Sequence, residues 1–310
     1  MAEAVKQPLP VLVIGGSMVF LSYLITGIGL GSVYAIIALG YSMVYGIAKM
    51  LNFAHGDVIM IGAYVAFFAL SRYNLPAVAA VLLAIAVCTT LGVLIERLAY
   101  KPLRQATSLS VLITAIGVSY FLQNMAQLLW SSSPKIFSSI VGNRSLTLFD
   151  GKMSIAYINI LTIITCIVIM IVLTLFINNT KIGRAMRACS EDKDAAKLMG
   201  INVNKTISIT FAIGSGLAAI ASVLLCSTYP SVYPTLGSMP GIKAFTAAVF
   251  GGIGSIPGAF VGGLLLGIIE NLSKAYISTQ LSDAIVFAVL IIVLLIKPTG
   301  ILGKKVNEKV

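Results

Sequence analysis

The chain has 310 residues, of which 58% are hydrophobic and 10% charged, and its mean hydropathy is +1.01. Soluble domains carry about 45–50% apolar and about 25% charged residues, so this composition belongs to a polytopic membrane protein. The net charge of +11 is clustered between apolar runs, which reads as membrane orientation and excludes nucleic acid as a partner.

The apolar runs do not alternate in polarity, which excludes a β-barrel and leaves helices to span the bilayer. Residues 1–8 hold only Glu3 and Lys6 as charges, with no small-x-small cleavage site after a short apolar run. Both features argue against a cleavable signal peptide. Residues 7–48 carry no charge over 42 positions, roughly 60 Å as helix and about twice the hydrocarbon thickness. Two spans parted near residues 27–31 are expected there, with one span plus an interfacial helix as the alternative. KMLNFAHGD (49–57) is a polar break in which Asn52 or Asp57 would cap the next helix and Gly56 would allow a close turn. Residues 76–95 form another span, and ERLAYKPLR (96–104), with three bases against one acid, reads as a cytoplasmic connection. Residues 109–130 cross outward, 131–152 form an extracytoplasmic loop, and 155–177 cross back.

There follows the one long charged stretch, 178–206, which packs six of the 21 bases and three of the ten acids into 29 positions. Its basic excess places it in the cytoplasm. Ser190 as N-cap, acids at 191, 192 and 194, and Gly200 as stop predict a short helix over 191–199 after a basic turn. Ala185, Ala188, Ala195 and Ala196 would give it a small-residue face. An ordinary cytoplasmic loop would show the same charge; the sharper reading is a docking element for a cytoplasmic partner.

Residues 207–227 make a further span. TYPSVYPTLGSMPG (228–241), with three prolines, is irregular, and 242–270 is broken by GGIGSIPG (251–258) into arms that suit a hairpin or half-length helices. Residues 277–296 are the last span, and Lys297, Lys304, Lys305 and Lys309 place the tail in the cytoplasm. The expectation is one transmembrane domain, 1–310, all-α, with eight to ten transmembrane helices, an N-terminus inside, and 178–206 as a loop within it. Each half has a polar, Gly-containing break after its opening span, as in an inverted repeat.

No phosphate loop, H-E-x-x-H or nucleophile–base pair occurs, and His55 is the single histidine. Cys88, Cys166, Cys189 and Cys226 form no C-x-x-C pair, so neither disulfide nor metal is expected. Enzymatic chemistry is therefore not expected. Polar groups inside apolar sequence line paths or protein interfaces; the candidates are Asn52, His55, Asp57, Gln123, Asn124, Glu270 and Asn271. The bland readings are a structural hydrogen bond for His55 and an i,i+4 pair with Lys274 for Glu270.

GSVYAIIALGYSMVYGIAKMLNFAHGDVIMIGAY (31–64), GRAMRACSEDKDAAKLMGINVNKT (183–206), KAFTAAVFGGIGSIPGAFVGGLLLGIIENL (243–272) and KPTGILG (297–303) together resemble the permease subunits of branched-chain amino-acid ABC importers, the first of the two related permeases. The resemblance implies a fold like that of vitamin-type importer permeases and a home in the prokaryotic plasma (inner) membrane. It implies as partners a second related permease, two cytoplasmic ATPase subunits, an extracytoplasmic substrate-binding protein and membrane lipid. No cofactor is implied on this chain, ATP and magnesium residing on the ATPases. Coupling to the ATPase falls on Gly183, Arg184, Arg187, Ala188, Glu191, Ala195, Leu198 and Gly200, and the translocation path on Tyr45, Asn52, Phe53, His55 and Gly56. Lys193 departs from the family pattern, which often has an apolar or small residue there. Urea, short amides or other amino acids are the alternative ligands, and an ion-coupled secondary transporter the alternative mechanism.

Overall fold

The computed structural model describes residues 9–142, 144–148 and 153–303. In chain order its helices are α1 (Leu9–Ala48), α2 (His55–Ser71), α3 (Ala77–Ile95), α4 (Ser108–Trp130), α5 (Tyr157–Asn179), α6 (Lys181–Glu191), α7 (Lys193–Leu198), α8 (Val203–Thr228), α9 (Ser238–Gly251), α10 (Ile256–Tyr276) and α11 (Ser282–Ile296). Six stretches are long and apolar enough to cross a membrane, and α2 and α11 are shorter apolar helices, eight in all among the described residues. The chain is an all-α polytopic membrane protein. Four short strands, β1 (Lys135–Ile136), β2 (Ser145–Leu148), β3 (Met153–Ala156) and β4 (Ser231–Val232), form two antiparallel pairs, β1 with β4 and β2 with β3. The charges expected to fix the tail, Lys304, Lys305 and Lys309, and those of residues 1–8, lie outside the described residues.

The expected division near residue 27 is absent: α1 is one unbroken helix. Its glycines serve packing. A Cβ on Gly31 would lie 2.7 Å from the Leu264 carbonyl oxygen, and one on Gly267 would lie 2.1 Å from the Gly31 nitrogen. Small residues thus let the α1 and α10 backbones touch along an antiparallel seam, as helices in lipid require. The 96–104 connection is also wound: α3 continues into a π turn, Glu96–Tyr100, and a 3-10 turn, Lys101–Leu103. Its acid turns inward, where Glu96 is fully buried, ion-paired with Arg104, and accepts a hydrogen bond from Ser208 Oγ at 2.6 Å.

The two halves repeat with opposite direction. α1 packs most extensively on α10, and α8 on α3; α2 packs on α3 and α8, while α9 packs on α10 and α1. After α1 the chain re-enters the bundle, so that His55 lies beside Gly40 and Gly40 beside Gly214, well inside α1 and α8. After α8 it re-enters from the opposite end, bringing Gly237 against Gly56. α2 and α9, of 17 and 14 residues, therefore begin inside the bundle, where their N-termini meet as a half-helix junction, the arrangement expected of an inverted repeat. Of the arms around GGIGSIPG only α9 is short; α10 spans fully.

One end of the bundle, here the loop end, gathers the end of α1, α6, α7, the α9–α10 turn and residues 297–303. There Gly254 N donates to Ser42 Oγ at 2.9 Å, and Ile301 N and Leu302 N donate to Phe250 O and Gly251 O, each at 2.9 Å. The KPTGILG segment thus satisfies the last carbonyls of α9, groups that a helix end otherwise leaves unpaired. The strands lie at the other end.

Candidate functional site

At the loop end, Thr180 caps α6, its Oγ1 accepting from Gly183 N at 2.9 Å. A Cβ on Gly183 would lie 2.4 Å from Ile177 Cα, so α6 folds back onto the last turns of α5 at a separation only glycine allows. α6 is strongly amphipathic: Gly183, Met186 and Cys189 are buried, while Lys181, Arg184, Arg187 and Glu191 are exposed. Arg187 Nη2 donates to Asn178 O at 3.3 Å. The expected helix over 191–199 is displaced. The basic stretch before it is itself α6, and Asp192, extended at φ −155°, separates α6 from α7. Ser190 is not the cap: it lies inside α6, donating to Arg187 O, and Asp192 Oδ1 caps α7 by accepting from Asp194 N at 2.8 Å and Ala195 N at 3.0 Å. Nor do the four alanines share one helix face, since two sit on each helix and only Ala196 is fully buried.

α7 ends at Gly200, whose φ of +81° suits the residue that stops a helix. At its tip Leu198 is 88% and Met199 83% exposed. Lys193 Nζ donates to Ala48 O at 2.6 Å, fastening α7 to the end of α1. Burial, then repulsion from Arg104 and Lys49, lowers the pKa of this ammonium. Ala188 is half-buried and Ala195 exposed. Of the residues expected to couple, then, Arg184, Arg187, Glu191, Ala195 and Leu198 face outward, and Gly183 holds the element in place.

At the half-helix junction, His55 stacks edge-on against Tyr41, with ring centroids 4.6 Å apart, and its Nε2 lacks a hydrogen-bond partner. Its surroundings are aromatic, and the ring also takes a backbone hydrogen bond at Ile37, in keeping with a structural role. Gly56 and Gly237 touch through their backbones, a Cβ on Gly237 falling 1.7 Å from Gly56 O. Phe53 packs on Phe245 of the other half at 5.6 Å, and Asn52 Oδ1 accepts from Tyr100 Oη at 2.9 Å. Tyr45 is half-buried in α1, one turn beyond Tyr41. Neither Asn52 nor Asp57 caps α2; Asp57 accepts from Gln123 Nε2 at 2.8 Å, and Gln123 lies 3.3 Å from Ser238 Oγ on α9.

Glu270 forms the expected pair with Lys274 at 2.5 Å, but within a larger network that sequence reasoning missed. It is 1% exposed, accepts from Tyr34 Oη at 2.9 Å and pairs with Lys243 at 2.8 Å, which in turn pairs with Asp283 at 2.7 Å. The single basic residue inside the apolar sequence of α9 was the available signal. Asn124 and Asn271 donate to backbone carbonyls of Tyr120 and Tyr23.

A family model described as branched-chain amino acid transport system / permease component matches residues 23–294. The high-affinity branched-chain amino acid transport system permease protein LivH of Escherichia coli is 46% identical over 305 residues, 94% of this chain and 98% of its own. BraD of Pseudomonas aeruginosa, which bears the same description, is 47% identical over 303 residues, with 94% and 98% covered. Among solved structures, PsaBC from Streptococcus pneumoniae in complex with Fab aligns over 94% of this chain and 97% of its own, at 15% identity and a TM-score of 0.48.

Proposed function

We propose that this chain, which belongs to the branched-chain amino acid transport permease family, is a membrane subunit of an ATP-driven importer of leucine, isoleucine and valine. The observation that supports this best is the α6–α7 element: anchored through Gly183 and Lys193 to α5 and α1, it presents an apolar tip and exposed arginines to solvent. Its basic excess orients the loop end, and with it residues 297–303, toward the cytoplasm.

Two cytoplasmic ATPase subunits hold ATP and magnesium and seat the tip of α7, while Arg184 and Arg187 pair with their acids. Closure of the ATPases pushes on α6–α7, and the two anchors pass that motion to α5 and α1. α1 carries Tyr41, against which the half-helix junction is packed, so the junction opens as the gate. A second related permease completes the path, and an extracytoplasmic binding protein delivers ligand at the strand end. Tyr45, Asn52, Phe53, His55 and Gly56 border that gate. A zwitterion with an apolar side chain needs few polar groups in transit when selection rests on the binding protein, and this chain needs no cofactor of its own.

Reconstituted vesicles with all subunits should take up labelled leucine only with ATP. Uptake driven by a sodium or proton gradient without ATP would replace the mechanism, and competition by urea or short amides stronger than by isoleucine would replace the ligand.

A further inference from the structure

One charged groove shares only Ser208 with the contacts above. It opens at the loop end between the end of α3 and the start of α8, with a volume of about 540 Å³. Arg97, Lys101 and Lys205 form its rim; all three are exposed, and none has an ion-pair partner among the described residues. Arg97 and Lys101, four residues apart on wound backbone, share a face. The deeper wall is apolar, made by half-buried Val93, Ile209 and Ala212. Beside it Leu94 and Leu98 point outward, 50% and 70% exposed, as on a surface bathed in lipid. Glu96, next to Arg97 in the chain, is turned inward and occupied by Arg104 and Ser208, so it does not pair with the rim.

We propose that this groove binds the headgroup of an anionic phospholipid, with its phosphate against Arg97, Lys101 and Lys205 and an acyl chain along Val93 and Ile209. The proposal rests on the orientation inferred above, which puts the groove at the cytoplasmic leaflet. Three unpaired cations over an apolar wall, at the surface of a spanning bundle, complement a phosphodiester above hydrocarbon. An acidic protein loop would use the cations but not the wall that runs down into the span. The bound lipid would bridge α3 and α8, across the seam between the halves.

The test uses the full chain in neutral detergent, titrated with phosphatidylglycerol or phosphatidylcholine, with retained lipid read by native mass spectrometry. Phosphatidylglycerol should be preferred, and the combined Arg97→Ala, Lys101→Ala and Lys205→Ala variant should lose on the order of a hundredfold in affinity for it, about fivefold per charge. Arg97→Lys, which keeps the charge, should retain binding, and an unchanged melting temperature would show that the triple variant is folded. Equal retention of both lipids, or a preference that survives the triple substitution, would overturn the site. Displacement by glycerol 3-phosphate at similar concentration would make it a soluble-phosphate site instead. Loss of co-purifying ATPase subunits with lipid retention unchanged would reassign it to a protein contact. No transport is read, so failure here leaves the importer reading standing.

Discussion

The half-helix junction and the α6–α7 element are built on opposite terms. At the junction backbone meets backbone, Gly56 on Gly237, with aromatic rings from both halves closed around it. In α6–α7 one face is buried on the bundle, and the other, with Leu198 and Met199 at its tip, is exposed among the described residues. A contact without side-chain slack changes only when whole helices move, whereas a half-free helix receives a partner without rearranging. The first arrangement suits a gate and the second suits a handle.

That contrast breaks first at the junction. Gly237→Val forces a side chain into the Gly56 carbonyl and should cost more than the about 1–3 kcal/mol usual for overpacking. Loss of monodisperse protein, or a steep fall in melting temperature, is expected; normal yield and stability would show that the backbones are not in contact. At the tip the reverse should hold. Replacing Leu198 and Met199 by Asp should abolish ATP-driven uptake while changing stability by no more than about 0.5 kcal/mol, as at exposed sites. Arg187→Glu removes one exposed cation that the partner would pair, and uptake should fall by about ten- to a hundredfold, matching one charge-assisted contact of about 1.5–3 kcal/mol. Unchanged uptake would take Arg187 out of the coupling surface.

The smallest effect concerns the anchor. Because Lys193 holds its proton less tightly folded than unfolded, the cost of its charge is fully present at neutral pH. It is relieved as the pH climbs through the window between the lowered value and the ordinary 10.5. Stability should therefore gain a small rising component in that alkaline window, absent in Lys193→Met; identical pH profiles would mean that Lys193 is not held at Ala48.

The spans of α4, α5 and α8 were legible because polar or charged residues bound each apolar run: 109–130 is Ser108–Trp130, and 155–177 is Tyr157–Asn179. Glycine misled in α1, where residues 27–31 read as a break but serve a helix seam, a distinction that depends on α10 more than 200 residues away. At 96–104 the bases Arg97 and Lys101 are exposed, as a polar connection requires, but the acid is not: Glu96 is paired with Arg104 inside the fold. In residues 178–206 helix was expected, but over other bounds than those found. Ile182, Met186 and Cys189 at helical spacing, with Thr180 ahead of them, carried the signal for α6; Asp192, three residues before Ala195, carried the one for α7. The meeting of the two half-helices could not be read at all, since each N-terminus is defined by the other.

The most direct measurement is maleimide labelling of a Leu198→Cys variant in membranes, with and without co-expressed ATPase subunits; the four native cysteines are buried and should give little background. Strong labelling of the chain alone and protection in the assembly is the predicted result. Equal labelling in both would leave the tip of α7 free in solvent and contradict the claim that it is the handle by which the gate is moved.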